Sequence, residues 1–599
     1  MKISQGKTSF QEITHDVDFC IVGGGMSGML AAIAAARHGT KVLLMQDRPM
    51  LGGNASSEVR MWIRGAGAHG ENLMETGILE EIALENIHRN SSLNFSIWDS
   101  VLYEKVRFEP NIELLLNCSC CELGMDGEKI AWIRGWQTTT QQWHTVNAKL
   151  FADCSGDSIL AQMSGADWRW GRESSDEFGE DIQPLISDNK TMGMSCLIQT
   201  RETSSPKTYI APKWANKYTK EDLPFRVNTD NPKAWTNDNF WWMELGGVED
   251  TINDTEKLRD ELLKVAFGVW DFIKNSGNCA ADNWELEWVG FLPGKRESKR
   301  YVGDHILNQN DVRSEGRFDD IVAYGGWSMD DHHPAGLKYE GKPTIFHPAP
   351  APYGIPYRCL YSRNVSNLFF AGRNISATHA ALSSTRVMAT CAILGQAIGT
   401  AASIAVKDGL EPRGVYENRI DELKQTLLED DCYLPRNVKK ISEKTKNAVI
   451  KASYGDPSAL INGVDRPVGN EYNGWVAPLG SWVEFDFGSE TEINQISLTL
   501  DSDLIRETWP DLNRNFKLFP MRCNIFSDQK QVYVPQTLIK SFRIDIYDRE
   551  GNCKTVYTED NNYQRLVKIN LGVTAVKLRL IPESTWGSSE VRMFAMDIK

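Results

Sequence analysis

Basic residues are the first thing this sequence is short of. Lys and Arg number 65 against 80 Asp and Glu, a net charge of −15 over 599 residues. Polyanion binding needs a basic footprint, so no nucleic-acid partner is expected. No apolar run reaches the ~18 residues of a bilayer-spanning helix, so no membrane partner is expected either. The opening MKISQGKTSFQEITHDVDF is polar and lacks the apolar core of a signal peptide. The sequence as given therefore reads as cytosolic, and as periplasmic or secreted only if a leader was trimmed. Metal motifs such as H-E-x-x-H are missing, and no metal site is expected. The twelve cysteines are scattered, and none falls between Cys20 and Cys118. The first glycine-rich segment is thus followed by no redox pair, and the Cys118, Cys120, Cys121 cluster reads as buried reduced thiols.

What is present is ordinary in bulk and unusual in detail. Hydrophobic residues make up 41% and charged residues 24%, as in a soluble globular protein. At this length two or three domains are expected. Tryptophan is abundant, 19 residues, with many crowded between Trp132 and Trp327. Most belong in a core; some are placed to stack on a sugar face or a planar cofactor.

Asp18–Val22 is a short apolar run read as a buried strand, and Gly23-Gly24-Gly25-Met26-Ser27-Gly28 follows at once. An Ala-rich helix stopped by Gly39 and a second strand, Lys41–Met45, come next. G-x-G-x-x-G in this strand–turn–helix setting marks a dinucleotide site. Gly23 permits the turn, Gly25 lets the main chain approach a diphosphate, and Gly28 lets helix and strand pack closely. The acidic residue expected at the end of the second strand is replaced by Gln46, with Asp47 next. Either serves a ribose hydroxyl, depending on register.

Three later segments extend the pattern. Leu51-Gly52-Gly53-Asn54-Ala55-Ser56-Ser57-Glu58 brings a second glycine pair. Lys149–Cys154 is a strand leading through Ser155-Gly156-Asp157 into a short helix. Asn367–Ala371 is another strand, ending at Gly372-Arg373 before a long helix of small residues. On VGGGMSG, QDRPMLGGNASSE, FADCSGDSILAQMSGA, GKRESKRYVGD, IPYRCL and NLFFAGRNISATHAALSSTRVMATCAILGQAIGTAA, the chain resembles the bacterial FAD-dependent oxidoreductases with a glutathione-reductase-like FAD domain.

The resemblance spans roughly residues 16–405 and implies FAD as cofactor. It implies FAD contacts at Gly23, Gly25, Met26, Ser27, Gly28, Gln46, Asp47, Arg48, Gly53, Asn54, Ser56, Asp157, Gly372, Arg373 and Arg386. The small-residue helix would point its N-terminal end at the isoalloxazine ring. The expected fold is α/β, a Rossmann-like FAD-binding domain with an inserted α+β substrate domain and a C-terminal all-β sandwich. The expected divisions are 1–160 and 356–410 for the FAD-binding domain and 161–355 for the substrate cap. A connector at 411–446 and the sandwich at 447–599 complete the chain.

Hydride transfer from an alcohol needs a base for the hydroxyl proton. With ten histidines in all, the candidates are His379 in NISATHAAL and His332 and His333 in the run Asp330-Asp331-His332-His333-Pro334. Arg296 and Glu297 are candidate pocket residues. His69, in GAGAHG, is a third candidate, and whether the flavin is covalently tethered is left open.

From about Asn447 the sequence turns to short alternating strands: SWVEFDFG, INQISLTL, SFRIDIYD, LVKINLG, AVKLRLIP and VRMFAMDI. This region resembles discoidin or galactose-binding-like modules, which often bind carbohydrate through exposed aromatics; Trp475, Tyr472 and Trp482 are the candidates, and the alternative is a module that only scaffolds or dimerises the enzyme, with Trp482 in its core. The combined expectation is FAD-dependent oxidation of a carbohydrate or glycoside. Two alternatives stand beside it. One is redox-neutral glycoside cleavage through a transient keto-sugar, the other a carbohydrate-binding protein whose flavin is structural. The sequence names no electron acceptor and leaves homo-oligomer formation open.

Overall fold

A computed structural model describes residues 10–68, 72–504 and 524–599; His69 lies outside them. The chain forms two compact units. The first comprises Met1–Gly65, Phe95–Leu423 and Met521–Lys530; the second comprises Ala66–Asn94, Lys424–Pro520 and Gln531–Lys599.

In the first unit, strand β1 (Gln11–Val22) alternates buried and exposed residues at its start and is buried on both faces at its end. That change fits a strand whose last residues enter a covered parallel sheet. Helix α1 (Met26–Arg37) follows, with Gly39 at φ +86° just beyond it. Then come β2 (Val42–Met45), β3 (Ile112–Leu115), β4 (Cys118–Asp126), β5 (Lys129–Gln137) and β6 (Gln142–Asp153). The strand order is β3-β2-β1-β6-β5-β4. β1 pairs in parallel with β2 and β6, whereas β4, β5 and β6 form an antiparallel meander.

The middle of the chain is built on α2 (Thr255–Asn275), whose apolar face meets Trp235, Trp242 and Trp284 with its own Trp270. These four tryptophans are core. Strand β7 (Met329–His332) pairs antiparallel with Thr344–His347 and carries the Asp-Asp-His run.

Strand β8 (Leu368–Phe370) returns to the main sheet beside the last residues of β6. Next come α3 (His379–Thr385) and α4 (Met388–Asp408). The small residues of α4 have a packing cause. A Cβ at Gly395 would stand 2.0 Å from the Ser27 carbonyl oxygen, and one at Gly399 2.2 Å from that of Ala31. Two helices this close leave no room for a side chain between them. By length and composition α4 could cross a bilayer, which corrects the expectation that no segment reaches that limit; here it is 94% buried inside the protein.

In the second unit, a sheet of seven strands surrounds a core that includes Phe485, Leu498, Phe542 and Met596. This is the all-β C-terminal sandwich. SWVEFDFG and INQISLTL are not two strands but one, Val483–Leu500, and LVKINLG and AVKLRLIP merge into Leu566–Thr585. Register shifts at Asp486/Thr491 let the paired strands bend without ending. Trp475, expected as an exposed ligand platform, is core, 1% exposed, and its Nε1 donates to the Tyr454 carbonyl at 2.9 Å. Trp482 is half-buried under the Arg579 guanidinium, 4.1 Å from the ring centre. Tyr472 donates its hydroxyl to Asp501 at 2.6 Å.

Candidate functional site

The sheet ends and the helix α1 N-terminus meet at a cavity of about 1080 Å³ in the first unit. Its floor is almost free of side chains. Gly23 sits at φ +103°, and a Cβ there would meet the Cys154 main chain at 2.5 Å. At Gly28 a Cβ would lie 1.8 Å from the Gly23 carbonyl oxygen. Gly25 and Gly52 run side by side as a bridge, and the Gly52 amide donates to the Gly24 carbonyl at 2.9 Å. Helix α1 starts on Gly25, so no side-chain oxygen caps its first-turn amides. Amides and the positive end of a helix dipole thus face open space between two glycine segments, an arrangement that a diphosphate satisfies.

Of the residues implied for FAD, Gly23, Gly25, Met26, Ser27, Gln46, Asp47, Arg48, Gly53, Asn54, Asp157, Gly372, Arg373 and Arg386 line the cavity. Gly28 and Ser56 do not line it. Gly28 supports the turn from behind, and the Ser56 hydroxyl donates to the Gly53 carbonyl at 2.7 Å. Gln46 is a brace: its Oε1 accepts the Gly24 amide at 2.7 Å and its Nε2 donates to the Met50 carbonyl at 3.1 Å. Asp47 next to it is the exposed carboxylate at the end of β2, its side chain 59% exposed and its Oδ1 3.8 Å from Arg48 Nε.

Asp157 is held by Arg373 and by Lys295 Nζ at 2.8 Å, and it accepts the Ser298 hydroxyl at 2.8 Å. Burial alone would raise its pKa, but Arg373 and Lys295 outweigh burial and bring it down to about 2. The Arg373 Nε donates to the Gly156 carbonyl at 2.9 Å, tying the two late segments together. Seven lysines and arginines line the cavity (Arg48, Arg64, Lys295, Arg296, Lys299, Arg373, Arg386) against three aspartates (Asp47, Asp157, Asp330). In a chain of net charge −15 this is a local reversal of sign.

Trp62, Trp241, Trp327 and Phe346 also line the cavity, together with Asp330, His332, Arg296 and Arg386. His332 is 3% exposed, with Nδ1 2.6 Å from Glu244 Oε2 and Nε2 3.3 Å from Asp330 Oδ2. The Arg296 guanidinium stands 3.6 Å from the same Glu244 oxygen. Burial opposes ionisation of Glu244, but Arg296 and His332 hold its pKa below the usual range. Asp330 is depressed further, against burial, by His332 and Arg386. Glu244 and Trp62 escape sequence reasoning because neither sits in a motif; only the fold brings them to the Asp-Asp-His run.

His379 and His333 are not brought to the cavity. His379 is buried between Glu297 Oε2 at 2.8 Å and Asp331 Oδ1 at 3.1 Å. Burial lowers its pKa, but Glu297 and Asp331 raise it to about 10, so it is a fixed cation and not a proton acceptor near neutrality. His333 stacks on Tyr339 at 3.7 Å, and its Nδ1 accepts the Ala335 amide. Glu297 is likewise a structural partner and not a wall of the pocket, whereas Arg296 does line it.

Cys118, Cys120 and Cys121 all line the nucleotide end, and Cys121 is exposed, not buried as expected. Burial, with Cys121 nearby, pushes the Cys118 thiol up to about 12. A strand sends Cys118 and Cys121 into different surroundings, so their spacing makes no redox pair. Among the described residues no group of His, Cys, Asp and Glu has the arrangement of a metal site.

The parallel sheet, paired glycine segments and helix N-terminus define an α/β protein of the dinucleotide-binding class. The family described as FAD dependent oxidoreductase matches residues 18–427, and the chain belongs to it. That family implies a flavin cofactor, and the cradle fits one: open space over Gly25, uncapped amides and a surplus of cations.

Part of the chain is also similar to solved carbohydrate-binding modules. One is the family 32 module of Streptococcus pneumoniae EndoD, 13% identical, covering 26% of this chain and 99% of that one, TM-score 0.19. Another is the family 32 module of C. perfringens NanJ in complex with galactose, 9% identical, covering 26% and 97%, TM-score 0.18. A third is chitosan-binding module 1 from a Paenibacillus chitosanase/glucanase, 15% identical, covering 26% and 95%, TM-score 0.18. No curated protein matches the chain.

Proposed function

We propose that this protein uses FAD to oxidise a C–H/C–OH group of a carbohydrate or glycoside. Bound FAD supplies the hydride acceptor, flavin N5. The two glycine segments and the α1 amides hold the diphosphate, Asp47 holds the ribose, and Asp157 with Arg373 and Lys295 holds the chain toward the ring. The reading is carried by one observation: Asp330 and His332, 3.3 Å apart and with Trp241 against the His332 ring, line the same cavity as the glycine segments.

Glu244 fixes the His332 ring through the 2.6 Å contact at Nδ1. The looser 3.3 Å contact between Nε2 and Asp330 is where a substrate hydroxyl inserts. The hydroxyl proton passes to this histidine–aspartate pair as the adjacent carbon gives up hydride. Trp62, Trp241 and Trp327 offer flat apolar faces against which a sugar ring packs and from which water is excluded. The resemblance of the C-terminal region to galactose-binding-like modules supports a sugar substrate.

Anaerobic mixing of the purified yellow protein with a panel of sugars and glycosides tests this. Loss of the visible flavin band with a keto-sugar product by mass spectrometry is expected. A flavin that no member of the panel bleaches counts against it.

A further inference from the structure

Four aromatic side chains of the cavity wall, Trp62, Trp241, Trp327 and Phe346, are only partly covered by protein. That sets them apart from the buried cluster of Trp235, Trp242, Trp270 and Trp284. Phe346 is the most open of the four, 56% exposed. It lies directly across from Asp330 where β7 pairs with Thr344–His347. Residues opposite one another in an antiparallel pair, and residues two apart on one strand, project from the same face. Phe346, Asp330 and His332 therefore share a face, and the Cβ atoms of an opposite pair stand about 4.5–5.5 Å apart. An open phenyl ring beside an acid–base pair, in the wall of a cavity, offers apolar area for a ligand to cover.

The polar groups around the pair are in a different condition. Glu244 faces His332 Nδ1 at 2.6 Å and accepts the Gly193 amide at 2.7 Å. Arg296 donates to the Ser195 hydroxyl at 3.0 Å and to the Trp241 carbonyl at 2.7 Å, and that hydroxyl donates to the same carbonyl at 2.6 Å. Glu244, Arg296 and Ser195 are all buried. Arg386 is turned onto the Asp330 carbonyl and carboxylate. Around the Asp330–His332 edge, then, the polar side chains are engaged with one another and the accessible surface is largely aromatic. Each hydroxyl of a sugar loses water on entering and needs a new partner. One hydroxyl finds that partner at the Asp330–His332 edge. What gains most from the rings beside it is a flat group that asks for no hydrogen bond.

We propose that the substrate is an aryl glycoside, a sugar whose aglycone is an aromatic ring, with Phe346 as the platform for the aglycone. This rests on the carbohydrate reading above. The reacting hydroxyl meets Asp330 and His332, the sugar packs on Trp241, whose ring centre is 5.2 Å from that of His332, and the aglycone stacks on Phe346 across the ribbon. The aglycone stays attached, and no covalent step is added to the reaction already described.

The full-length protein is titrated by calorimetry with its flavin reduced beforehand by dithionite in the absence of air, so that no turnover occurs. The probes are phenyl, cyclohexyl and methyl β-glucoside and the same three β-galactosides. In at least one series the phenyl glycoside is expected to bind about tenfold or more tightly than the methyl one, with the cyclohexyl one between them. Phe346→Ala should bring phenyl and methyl glycosides to within about threefold of each other, with the flavin retained by absorbance, whereas Phe346→Tyr should keep the preference. Equal or tighter binding of the methyl glycosides overturns the proposal, as does cyclohexyl binding as tight as phenyl, a preference that survives Phe346→Ala, or absence of binding by every probe. Loss of flavin in both Phe346 variants would assign this ring to the cofactor and overturn it too. Failure of the oxidation reading looks different: phenyl glycosides would still bind preferentially through Phe346, but none would bleach the oxidised flavin.

Discussion

Asp330 and Asp331 are neighbours on β7 that hold different histidines, His332 at 3.3 Å and His379 at 3.1 Å. Side chains alternate along a strand, so the two carboxylates face opposite ways. The far sides of both histidines are matched in turn. Glu244 backs His332 and accepts the Gly193 amide, and Glu297 backs His379 and accepts the Met192 amide. Two carboxylate–imidazole–carboxylate chains thus run in parallel, and only the His332 chain reaches the cavity.

The two histidines are therefore expected to fail differently. His332→Gln should slow anaerobic flavin bleaching by sugar by about 10²–10⁴-fold with flavin content unchanged, the usual range for a lost acid–base group. Glu244→Gln should reduce the rate less and move its pH profile, because the ring stays but its orienting charge is gone. Stopped-flow absorbance at saturating sugar measures both. Equal rates in His332→Gln and the parent protein would remove this residue from the proton path.

Glycines of the cradle separate ligand space from protein space. A Cβ at Gly25 would have Gly53 Cα as its nearest neighbour, at 3.9 Å, and the residue already has φ −68°. Gly25→Ala should therefore fold with a melting temperature near that of the parent apoprotein yet retain little flavin, since the methyl occupies the place of the diphosphate. Gly28→Ala pushes a methyl to 1.8 Å from the Gly23 carbonyl oxygen and should be unstable even without cofactor. Apoprotein melting curves with flavin content by absorbance decide between these outcomes.

The same contrast shows what was legible in the sequence. Gly23 to Gly28 announce themselves because backbone sterics are local, and β1, α1 and β2 follow from local periodicity. Gln46 was ambiguous, since its role depends on a loop, Met50, whose position is a tertiary matter. His379 looked well placed because it lies between the late strand and its helix. Its burial between Glu297 and Asp331, 82 and 48 residues away, is invisible in sequence. Glu244 carries no motif at all and comes to His332 from 88 residues away. Two sandwich strands were divided where polar turn residues interrupt the alternation, yet register shifts carry each pairing through.

Stability should respond to alkali through His379. Its folded pKa is raised from 6.5 to about 10, so the native state binds the proton more tightly than the unfolded chain. Its contribution is fully present below pH 6.5 and is lost as pH rises toward 10. The melting temperature is expected to fall across that window, and to fall less steeply in His379→Gln, which starts from a lower value. Differential scanning calorimetry of both proteins from pH 6 to about 10 reads the difference in slope. Parallel curves would show that His379 is not a charged partner of Glu297 and Asp331.

Glycine in a helix is ordinarily a cost, and α4 is where that rule should reverse. At Gly414, in the helix Pro412–Glu429, a Cβ would meet only the Leu410 side chain, just before that helix, at 3.4 Å or more. Gly414→Ala should stabilise by about 0.5–1 kcal/mol, because the unfolded chain loses freedom. At Gly395 the same methyl would stand 2.0 Å from the Ser27 carbonyl oxygen, so α4 must move away from α1. Overpacking of this kind costs about 1–3 kcal/mol. Ser27 belongs to the first turn that faces the cavity, and Cys391, one turn earlier on α4, lines the same cavity. Gly395→Ala should therefore lose flavin as well as stability, whereas Gly414→Ala should keep its full complement. Chemical denaturation followed by fluorescence gives the stabilities, and absorbance of the gel-filtered protein gives the flavin content. A Gly395→Ala protein as stable and as yellow as the parent would show that the two helices do not pack backbone to backbone.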